Sequence, residues 1–369
     1  MRKVKLIKLI FLILLFIILM VLILNIVNRL LPLQIRLNLA TFLFQRDAKI
    51  HKGVIAIVKK DEQDGILLSK GMNQEDVYYS ASISKLFTHS LIFQLVDDGK
   101  IAIEQSFREI LKEEKYSQLL IVEGKDYTEQ ITIKHLLDQT SGLGDYETDP
   151  LADGSIIMDR LKKEDFSLTI DQSLELTRQL KNSKIPGIKA HYSNMNPLLL
   201  GAIAERISGK SLEKLFQENI IEPLKLKSCQ LASENAKVTD VYINQSSINP
   251  VKYVLSAPAA GGIILNNEDL MTFIKAFHQG NLFDLANISR PEFRYLQFFP
   301  IQYGSGMMST KMDFWISPIL SGPRIIGHSG STGSFAFYCP DKDVYITGTI
   351  NQTEKTPFQY IYLFLNGIE

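Results

Sequence analysis

Three short motifs occur in a fixed order, far apart along the chain. They are Ser82-Ile83-Ser84-Lys85, Tyr192-Ser193-Asn194 and His328-Ser329-Gly330. Together they supply a hydroxyl nucleophile, groups that handle its proton and a glycine-bearing strand that can hold an oxyanion. Such groups cooperate only within hydrogen-bond reach of one another. The chain must therefore fold so that these three segments meet in one cleft, which is a usual place for a site.

The first motif has a competitor, because a second Ser-x-x-Lys occurs at residues 211–214. Ser82 follows a strand pattern at residues 77–79 and opens an apolar helical pattern that ends at Gly99. A serine at a helix N-terminus lies in a favourable field for developing negative charge. Ser211 instead precedes a charged stretch and is typical of a helix N-cap. We therefore predict that Ser82 is the nucleophile of a serine acyl-transfer site.

A neutral serine hydroxyl is a poor nucleophile and needs a nearby group to accept its proton. Lys85 lies one helical turn after Ser82 on the same face, where an amine buried among apolar side chains can lose its charge and act as a base. Tyr192 is the other candidate, because a cationic Lys85 would favour its phenolate form. The sequence leaves both open. Asn194 is expected to orient either a substrate amide or Lys85.

These motifs resemble those of the penicillin-recognising serine hydrolases, and within them the class C β-lactamase-like branch, which uses Tyr-x-Asn as its second motif. The resemblance runs from about residue 47 to the C-terminus. Further matching segments are residues 136–143, 186–187, 200–201, 223–224, 260–262 and 268–270, together with Asn351. The resemblance implies an acyl-enzyme on Ser82, an oxyanion hole made by the backbone N–H groups of Ser82 and Ser331, and substrate contacts from Ser329 and Gly330.

The third motif departs from the pattern of many β-lactamases and penicillin-binding proteins, which place Lys first. His328 is mostly neutral near pH 7 and offers one donor and one acceptor. Relatives with His at this place include D-alanyl carboxypeptidases, D-aminopeptidases and esterases. We therefore expect a hydrolase that acts on D-alanyl esters or amides of the cell envelope. The alternatives are a β-lactamase and a non-catalytic penicillin-binding or sensor protein. Gln139 replaces a His common among relatives and is expected to be structural.

The hydrophobic patterning predicts an α/β fold, in which an antiparallel β-sheet is flanked by helices and carries an inserted all-helical lobe. The strand patterns lie at residues 53–60, 66–70, 261–265, 335–339 and 344–350. Helical patterns dominate from Ser82 to about Leu224, and the last residues fit one buried helix face. The serine hydrolase domain is expected over residues 47–369, with residues 47–100 and 251–369 in the α/β lobe and residues 101–250 in the mainly helical lobe.

Near the N-terminus, residues 9–24 form 16 unbroken apolar positions, and the run extends to residue 27 past one Asn. Spanning a bilayer takes about 20 such residues. Basic residues precede the run, which places the N-terminus in the cytoplasm by the positive-inside rule. We expect a transmembrane anchor within residues 1–30, contacting the bilayer through residues 9–27, a juxtamembrane helix or linker over 31–46, and an extracellular catalytic domain at the cell membrane. A cleaved signal peptide is the alternative, although no small-residue cleavage site follows.

Charge and metal-binding residues exclude some other functions. All 40 acidic residues lie at or after Asp47, whereas seven of the 40 basic residues precede it, so the remainder carries a formal charge of −7. A mildly acidic domain without Lys/Arg blocks does not predict nucleic-acid binding. The six histidines are scattered without ligand spacing, so we expect neither a metal nor a cofactor. The sequence leaves the oligomeric state and the pairing of Cys229 with Cys339 open.

Overall fold

The computed structural model describes residues 7–8, 10–16, 19–21, 30–180 and 184–369. The strands are β1 (Gly53–Lys59), β2 (Ile66–Lys70), β3 (Tyr78–Tyr79), β4 (Ile121–Val122), β5 (Lys125–Asp126), β6 (Gln230–Leu231), β7 (Val241–Ile243), β8 (Ser246–Ile248), β9 (Ile263–Leu265), β10 (Arg294–Tyr295), β11 (Gln302–Gly304), β12 (Met307–Met312), β13 (Gly322–Ser329), β14 (Ser334–Cys339) and β15 (Val344–Thr349). The helices are α1 (Leu33–Arg46), α2 (Ser84–Asp97), α3 (Ile133–Leu137), α4 (Ile170–Gln179), α5 (Met195–Ser208), α6 (Leu212–Phe216), α7 (Glu222–Leu224), α8 (Val251–Leu255), α9 (Pro258–Gly261), α10 (Asn267–Gln279) and α11 (Phe358–Leu365).

An eight-stranded sheet runs in the order β10-β11-β12-β13-β14-β15-β1-β2. β15 lies between β1 and β14 and pairs with both in antiparallel register, with Thr349 opposite Val54 on one side and Ser334 on the other. Every residue of β15 is buried. α10 packs against β1, β14 and β15. These strands are almost continuously buried instead of alternating. Strands from both ends of the chain thus form one sheet, as the sequence predicts.

The helical part of the fold is built around α2, which is buried along nearly its whole length. It packs against α5 and α9, and the ring of Phe87 stacks on Phe273 of α10 with 3.6 Å between centroids. Eleven of its 14 residues are buried, including polar ones near its N-terminus, so α2 lies in the interior of this part of the fold. Burying α2 holds its N-terminus in a fixed place, and this end carries the Ser-x-x-Lys motif.

The described residues divide into two compact units. The first comprises the described part of residues 1–47 together with 311–324 and 358–369. Within it, α1 packs against α11, and the rings of Phe44 and Tyr360 meet edge to face at 5.6 Å. The second unit comprises residues 48–310 and 325–357. It contains every candidate catalytic residue. The predicted boundary at residue 47 and the predicted division into two lobes stay predictions.

The expected N-terminal transmembrane helix is contradicted. No helix within the described residues has the length and apolarity that crossing a membrane requires. A span needs about 20 apolar residues in one helix, whereas the longest stretch of the apolar run that the structure describes as helical is residues 10–16. Residues 9, 17–18 and 22–27 of the predicted span lie outside the described residues. The predicted extracellular location stays a prediction.

Two further expectations about the fold need correction. The middle of the chain is not all-helical, because residues 101–250 contain the short hairpins β4–β5 and β7–β8 and several 3₁₀ turns. Strands β10, β11 and β12 are also absent from the sequence prediction. β10 and β11 are only two and three residues long, too short to show an alternating pattern. β12 is buried at four consecutive positions, so its polarity does not alternate either.

Candidate active site

Ser82 lies in a 3₁₀ turn, Ala81–Ile83, immediately before α2. Ala81 has a left-handed backbone with φ of 46°, a conformation that costs energy for a residue with a Cβ and that is found preferentially at functional sites. The strained turn presents the half-buried Ser82 to a cavity of about 260 Å³, which Ser331 also lines. The two residues expected to form the oxyanion hole therefore line the same cavity.

Lys85 is completely buried in the first turn of α2. Its Nζ donates to Ser82 Oγ at 2.9 Å and to the carbonyl of Ala260 at 2.9 Å. Burial lowers the pKa of Lys85 to about 8, although the nearby carboxylates of Glu147 and Asp145 act in the opposite direction. A lysine with such a pKa has an accessible neutral form near neutral pH, in which it can accept the proton of Ser82.

Tyr192 lies close to both residues of the first motif. Lys85 Nζ lies 5.1 Å from the centre of its ring, and the Ser82 hydroxyl acts to lower the pKa of its phenol, against the larger effect of burial. Burial raises the pKa of Tyr192 well above its ordinary value, so the phenol keeps its proton. Of the two bases that the sequence leaves open, the electrostatics favour Lys85. Tyr192 is then suited to pass a proton onward rather than to remove the first one.

Asn194 is brought to the same cavity, but its side chain is held by a residue absent from the sequence prediction. Its Nδ2 donates to Glu147 Oε2 at 2.8 Å, and its backbone N–H donates to Asp145 Oδ1 at 2.9 Å. Glu147 is almost fully buried and also lines the cavity. Burial, together with the charge of Asp145, raises the pKa of Glu147 to about 7. The only sequence signal for Glu147 is its place just after the matched segment 136–143.

His328 lies beneath Tyr192 rather than at an open surface. Its side chain is fully buried, with ring centroids 6.2 Å from Tyr192 and 5.7 Å from Tyr303. Its Nδ1 hydrogen-bonds with the carbonyl of Ser329 at 2.7 Å. Burial, and next the charge of Lys85, lowers the pKa of His328 well below its usual value. The imidazole is therefore neutral and supplies no fixed positive charge to the site.

The remainder of the third motif shapes the turn that carries the nucleophile. Ser329 is half-buried, and its hydroxyl donates to Met308 Sδ at 3.4 Å. At Gly330 a Cβ atom would lie 2.7 Å from the carbonyl oxygen of Ser80 and 2.8 Å from Cβ of Ala81. Only glycine allows the end of β13 to approach the nucleophile turn so closely. The substrate contacts predicted for Ser329 and Gly330 stay predictions.

The second Ser-x-x-Lys is structural. Ser211 is the N-cap of α6, and its hydroxyl accepts a hydrogen bond from the backbone N–H of Lys214 at 3.3 Å. This is the role predicted from its context. His191, next to the catalytic motif, is paired with Asp149 at 2.7 Å. This contact helps to explain the position of the Tyr192 segment without giving His191 a place at the nucleophile.

Comparison with known proteins identifies this arrangement. The sequence profile of the β-lactamase family matches residues 43–363. The chain belongs to the β-lactamase family. It is therefore a serine hydrolase of the group that includes β-lactamases, penicillin-binding proteins, carboxypeptidases and amidohydrolases, and the resemblance stated from the motifs is confirmed.

Similar proteins differ in how much of their length they share with this chain. Protein flp of Staphylococcus aureus is 27% identical over 198 residues, which is 50% of this chain and 35% of that protein. The D-alanyl-D-alanine-carboxypeptidase/endopeptidase AmpH of Escherichia coli is 22% identical over 296 residues, 77% of this chain and 73% of that protein. A D-stereospecific amidohydrolase from Streptomyces has the same fold, with a TM-score of 0.70, 24% identity and coverage of 88% and 96% of the two chains.

Proposed function

We propose that this β-lactamase family member hydrolyses D-alanyl esters or amides whose amino group is free, such as those of the cell envelope. Neutral Lys85 accepts the proton of Ser82 as Oγ bonds to the carbonyl carbon, and the N–H groups of Ser82 and Ser331 hold the oxyanion. The leaving alcohol or amine receives that proton through Tyr192 as its bond to carbon breaks. Water then attacks the acyl-enzyme, gives a proton to Lys85 and releases the acid, and Ser82 regains its proton.

The position of the Glu147 carboxylate supports this substrate class. It places a carboxylate in the cavity next to Ser82 and hydrogen-bonds with Asn194, which lines the same cavity. A carboxylate in an apolar cavity stabilises a cationic group and repels an anionic one. Lys162 also lines the cavity, but its charge is paired with that of Asp159, whose Oδ1 lies 2.8 Å from Lys162 Nζ. A D-alanyl group contributes an ammonium and no carboxylate.

The neutral state of His328 adds independent support. Substrates with a free carboxylate, including β-lactams and D-Ala-D-Ala peptides, are served by the fixed lysine charge that many family members have at this position. Full burial keeps the His328 imidazole uncharged. The names of AmpH and of the Streptomyces protein indicate that D-amino acyl substrates occur among similar proteins. β-Lactam hydrolysis remains the second candidate, because the matching family carries that name.

The test compares substrates on the purified chain. D-Alanylated lipoteichoic acid, a pentapeptide ending in D-Ala-D-Ala and nitrocefin are incubated separately, and free D-alanine and nitrocefin opening are measured. We expect D-alanine release from the ester substrate, slow nitrocefin opening, and no activity in Ser82→Ala. Rapid nitrocefin turnover without D-alanine release from the ester would overturn the proposal in favour of a β-lactamase, and D-alanine release from the pentapeptide alone would overturn it in favour of a carboxypeptidase.

A second comparison isolates the role of Glu147. D-Alanyl and N-acetyl-D-alanyl esters of the same alcohol differ only in the charge of the amino group. Wild type should prefer the free amine, and Glu147→Gln should lose about tenfold or more of this preference, as expected for a charge-assisted hydrogen bond. An unchanged preference in Glu147→Gln would show that the ammonium binds elsewhere or not at all.

A further inference from the structure

The loop between β10 and β11 lies against the catalytic tyrosine. Gln297 in this loop makes two hydrogen bonds with the backbone of Tyr192. The Tyr192 N–H donates to Gln297 Oε1 at 2.9 Å, and Gln297 Nε2 donates to the Tyr192 carbonyl at 3.3 Å. One side-chain amide therefore binds both polar backbone groups of one residue, as a paired strand would. Neither Gln297 nor its loop belongs to a recognisable sequence motif.

The hairpin that carries Gln297 also contacts the Tyr192 ring. Phe298, the next residue, and Tyr303 of β11 approach this ring edge to face, with centroid distances of 6.4 and 6.3 Å. The hairpin is fixed in place by pairing of Arg294 with Tyr303 and by hydrogen bonds from the Arg294 guanidinium to the carbonyls of Gly187 and Ile188. The β10–β11 hairpin thus holds both the backbone and the ring of Tyr192.

A buried glutamine holds the neighbours of Tyr192 from the opposite side. The backbone carbonyl of Gln139 accepts from the N–H of His191 at 2.8 Å, and its Oε1 accepts from the N–H of Ser193 at 2.8 Å. Within the Tyr192 motif Gln139 binds the two flanking residues, and its Oε1 also accepts from Asn196 Nδ2 at 2.6 Å. The peptide groups of Tyr192 itself are bound by Gln297, which is exposed.

We propose that Gln297 is a positioning residue that sets the orientation of the Tyr192 phenol toward Ser82. The inference rests on the proposed proton-transfer role of Tyr192. The phenolic oxygen lies at the far end of the side chain, so a small rotation of the Tyr192 backbone displaces it by a larger distance. Proton transfer by a positioned side chain contributes about 10²- to 10⁴-fold to rate, and misplacement of about 1 Å can cost about 100-fold.

The test uses leaving groups of different basicity, because a phenol that protonates the leaving group matters most when that group leaves poorly. Gln297→Met keeps the side-chain length and removes both hydrogen bonds, and Gln297→Glu keeps an acceptor for the Tyr192 N–H. On an ethyl ester, Gln297→Met should lower kcat about tenfold or more with KM within about twofold. On a p-nitrophenyl ester of the same acid the loss should be below about threefold, and Gln297→Glu should fall between wild type and Gln297→Met.

Two control variants distinguish the positioning role of Gln297 from a general effect of substitution on the protein. Gln63→Met changes an exposed glutamine on the connection between β1 and β2 and should leave both esters unaffected. In a Tyr192→Phe background, Gln297→Met should cost less than about twofold, because the group on which it acts is gone. Equal losses on both esters, or a full additional loss in the double variant, would overturn the inference.

Failure of the positioning role can be distinguished from failure of the proposed function. Acetyl esters of the same two alcohols replace the D-alanyl esters if the latter are not hydrolysed, so the leaving-group comparison does not depend on the acyl group. Labelling of wild type by a fluorophosphonate reports Ser82 reactivity without any natural substrate. A reactive wild type with no D-alanyl preference would refute the substrate proposal alone. A reactive wild type with an unaffected Gln297→Met would refute the positioning role alone, and an unreactive wild type would refute both.

Discussion

Substituting Gly330 by alanine tests whether the close approach of β13 to the nucleophile turn sets the reactivity of Ser82. The new Cβ would lie 2.2 Å from the Ser334 hydroxyl, a side-chain atom, and 2.7 Å from the backbone carbonyl oxygen of Ser80, whereas ordinary van der Waals contact begins at 3.4 Å. About 0.7 Å must therefore open between the turn and the end of β13. These segments carry Ser82 and Ser331, the two residues assigned to the oxyanion hole, so the displacement acts directly on the distance between its donors.

Both a kinetic and a thermodynamic consequence follow from that displacement. A shift of this size is expected to slow fluorophosphonate labelling of Ser82 by about 10- to 100-fold, because misplacement of about 1 Å can cost about 100-fold. Overpacking of a tight contact typically destabilises a protein by about 1 to 3 kcal/mol, which corresponds to a decrease of a few degrees in Tm. Labelling rates are measured by stopped aliquots and in-gel fluorescence, and Tm by calorimetry.

Gly261→Ala is the matched control for stability, because it faces the same turn from α9. Its Cβ would lie 3.9 Å from the backbone of Ala81, which is ordinary contact, and its backbone does not require a left-handed conformation. We expect its Tm to stay within about 2 °C of wild type, since the change adds no overpacking. If Gly330→Ala labels as fast as wild type and is as stable as Gly261→Ala, the geometric argument is refuted.

Further predictions concern the nucleophile, its base and its pH dependence. Ser82→Ala should abolish labelling by a fluorophosphonate, whereas Ser211→Ala should label normally and lose about 1 kcal/mol of stability as a lost N-cap. On an ethyl ester, Lys85→Met and Tyr192→Phe should each slow acylation by about 100-fold or more, and losses below about threefold for both would place the base elsewhere. The labelling rate should rise with pH toward about 8, where Lys85 becomes neutral. The carboxylate of Glu147 raises the pKa of Lys85. Glu147→Gln should therefore shift the rise of the labelling rate to lower pH, and a shift to higher pH would contradict this electrostatic effect.

The catalytic residues could be predicted because their chemistry requires short, ordered motifs. Ser82 and Lys85 are fixed in relation to each other by one helical turn, and Tyr192 and Asn194 precede α5 in a recognisable tripeptide. Context also identified Ser211 as the N-cap of α6, whereas the assignment of Ser82 as the nucleophile stays a prediction. The sheet was recovered where strands are apolar, as in β1, β14 and β15, and missed where strands are short, as in β10 and β11, or lack an apolar or alternating pattern, as in β12.

The remaining site residues escaped prediction for a physical reason. Glu147 and Gln297 act through contacts with residues 47 and 105 positions away in sequence, respectively, and neither has a local pattern that distinguishes it from an ordinary polar loop residue. Gln139 was correctly taken as structural, but its hydrogen bonds with both neighbours of Tyr192 require the fold. The predicted transmembrane helix is contradicted because none of the helices in the described part of the chain is long and apolar enough to span a bilayer.

The charges around Lys85 suggest how substrate binding can prepare the base under the proposed function. Desolvation lowers the pKa of Lys85, whereas Glu147 and Asp145 raise it, so the value of about 8 reflects opposed effects of the same cavity. A substrate ammonium that binds the Glu147 carboxylate neutralises one of the groups that stabilise cationic Lys85, and it adds a like charge nearby. Both effects lower the pKa of Lys85. The base therefore loses its proton more readily when a D-alanyl group occupies the cavity than when the cavity is empty.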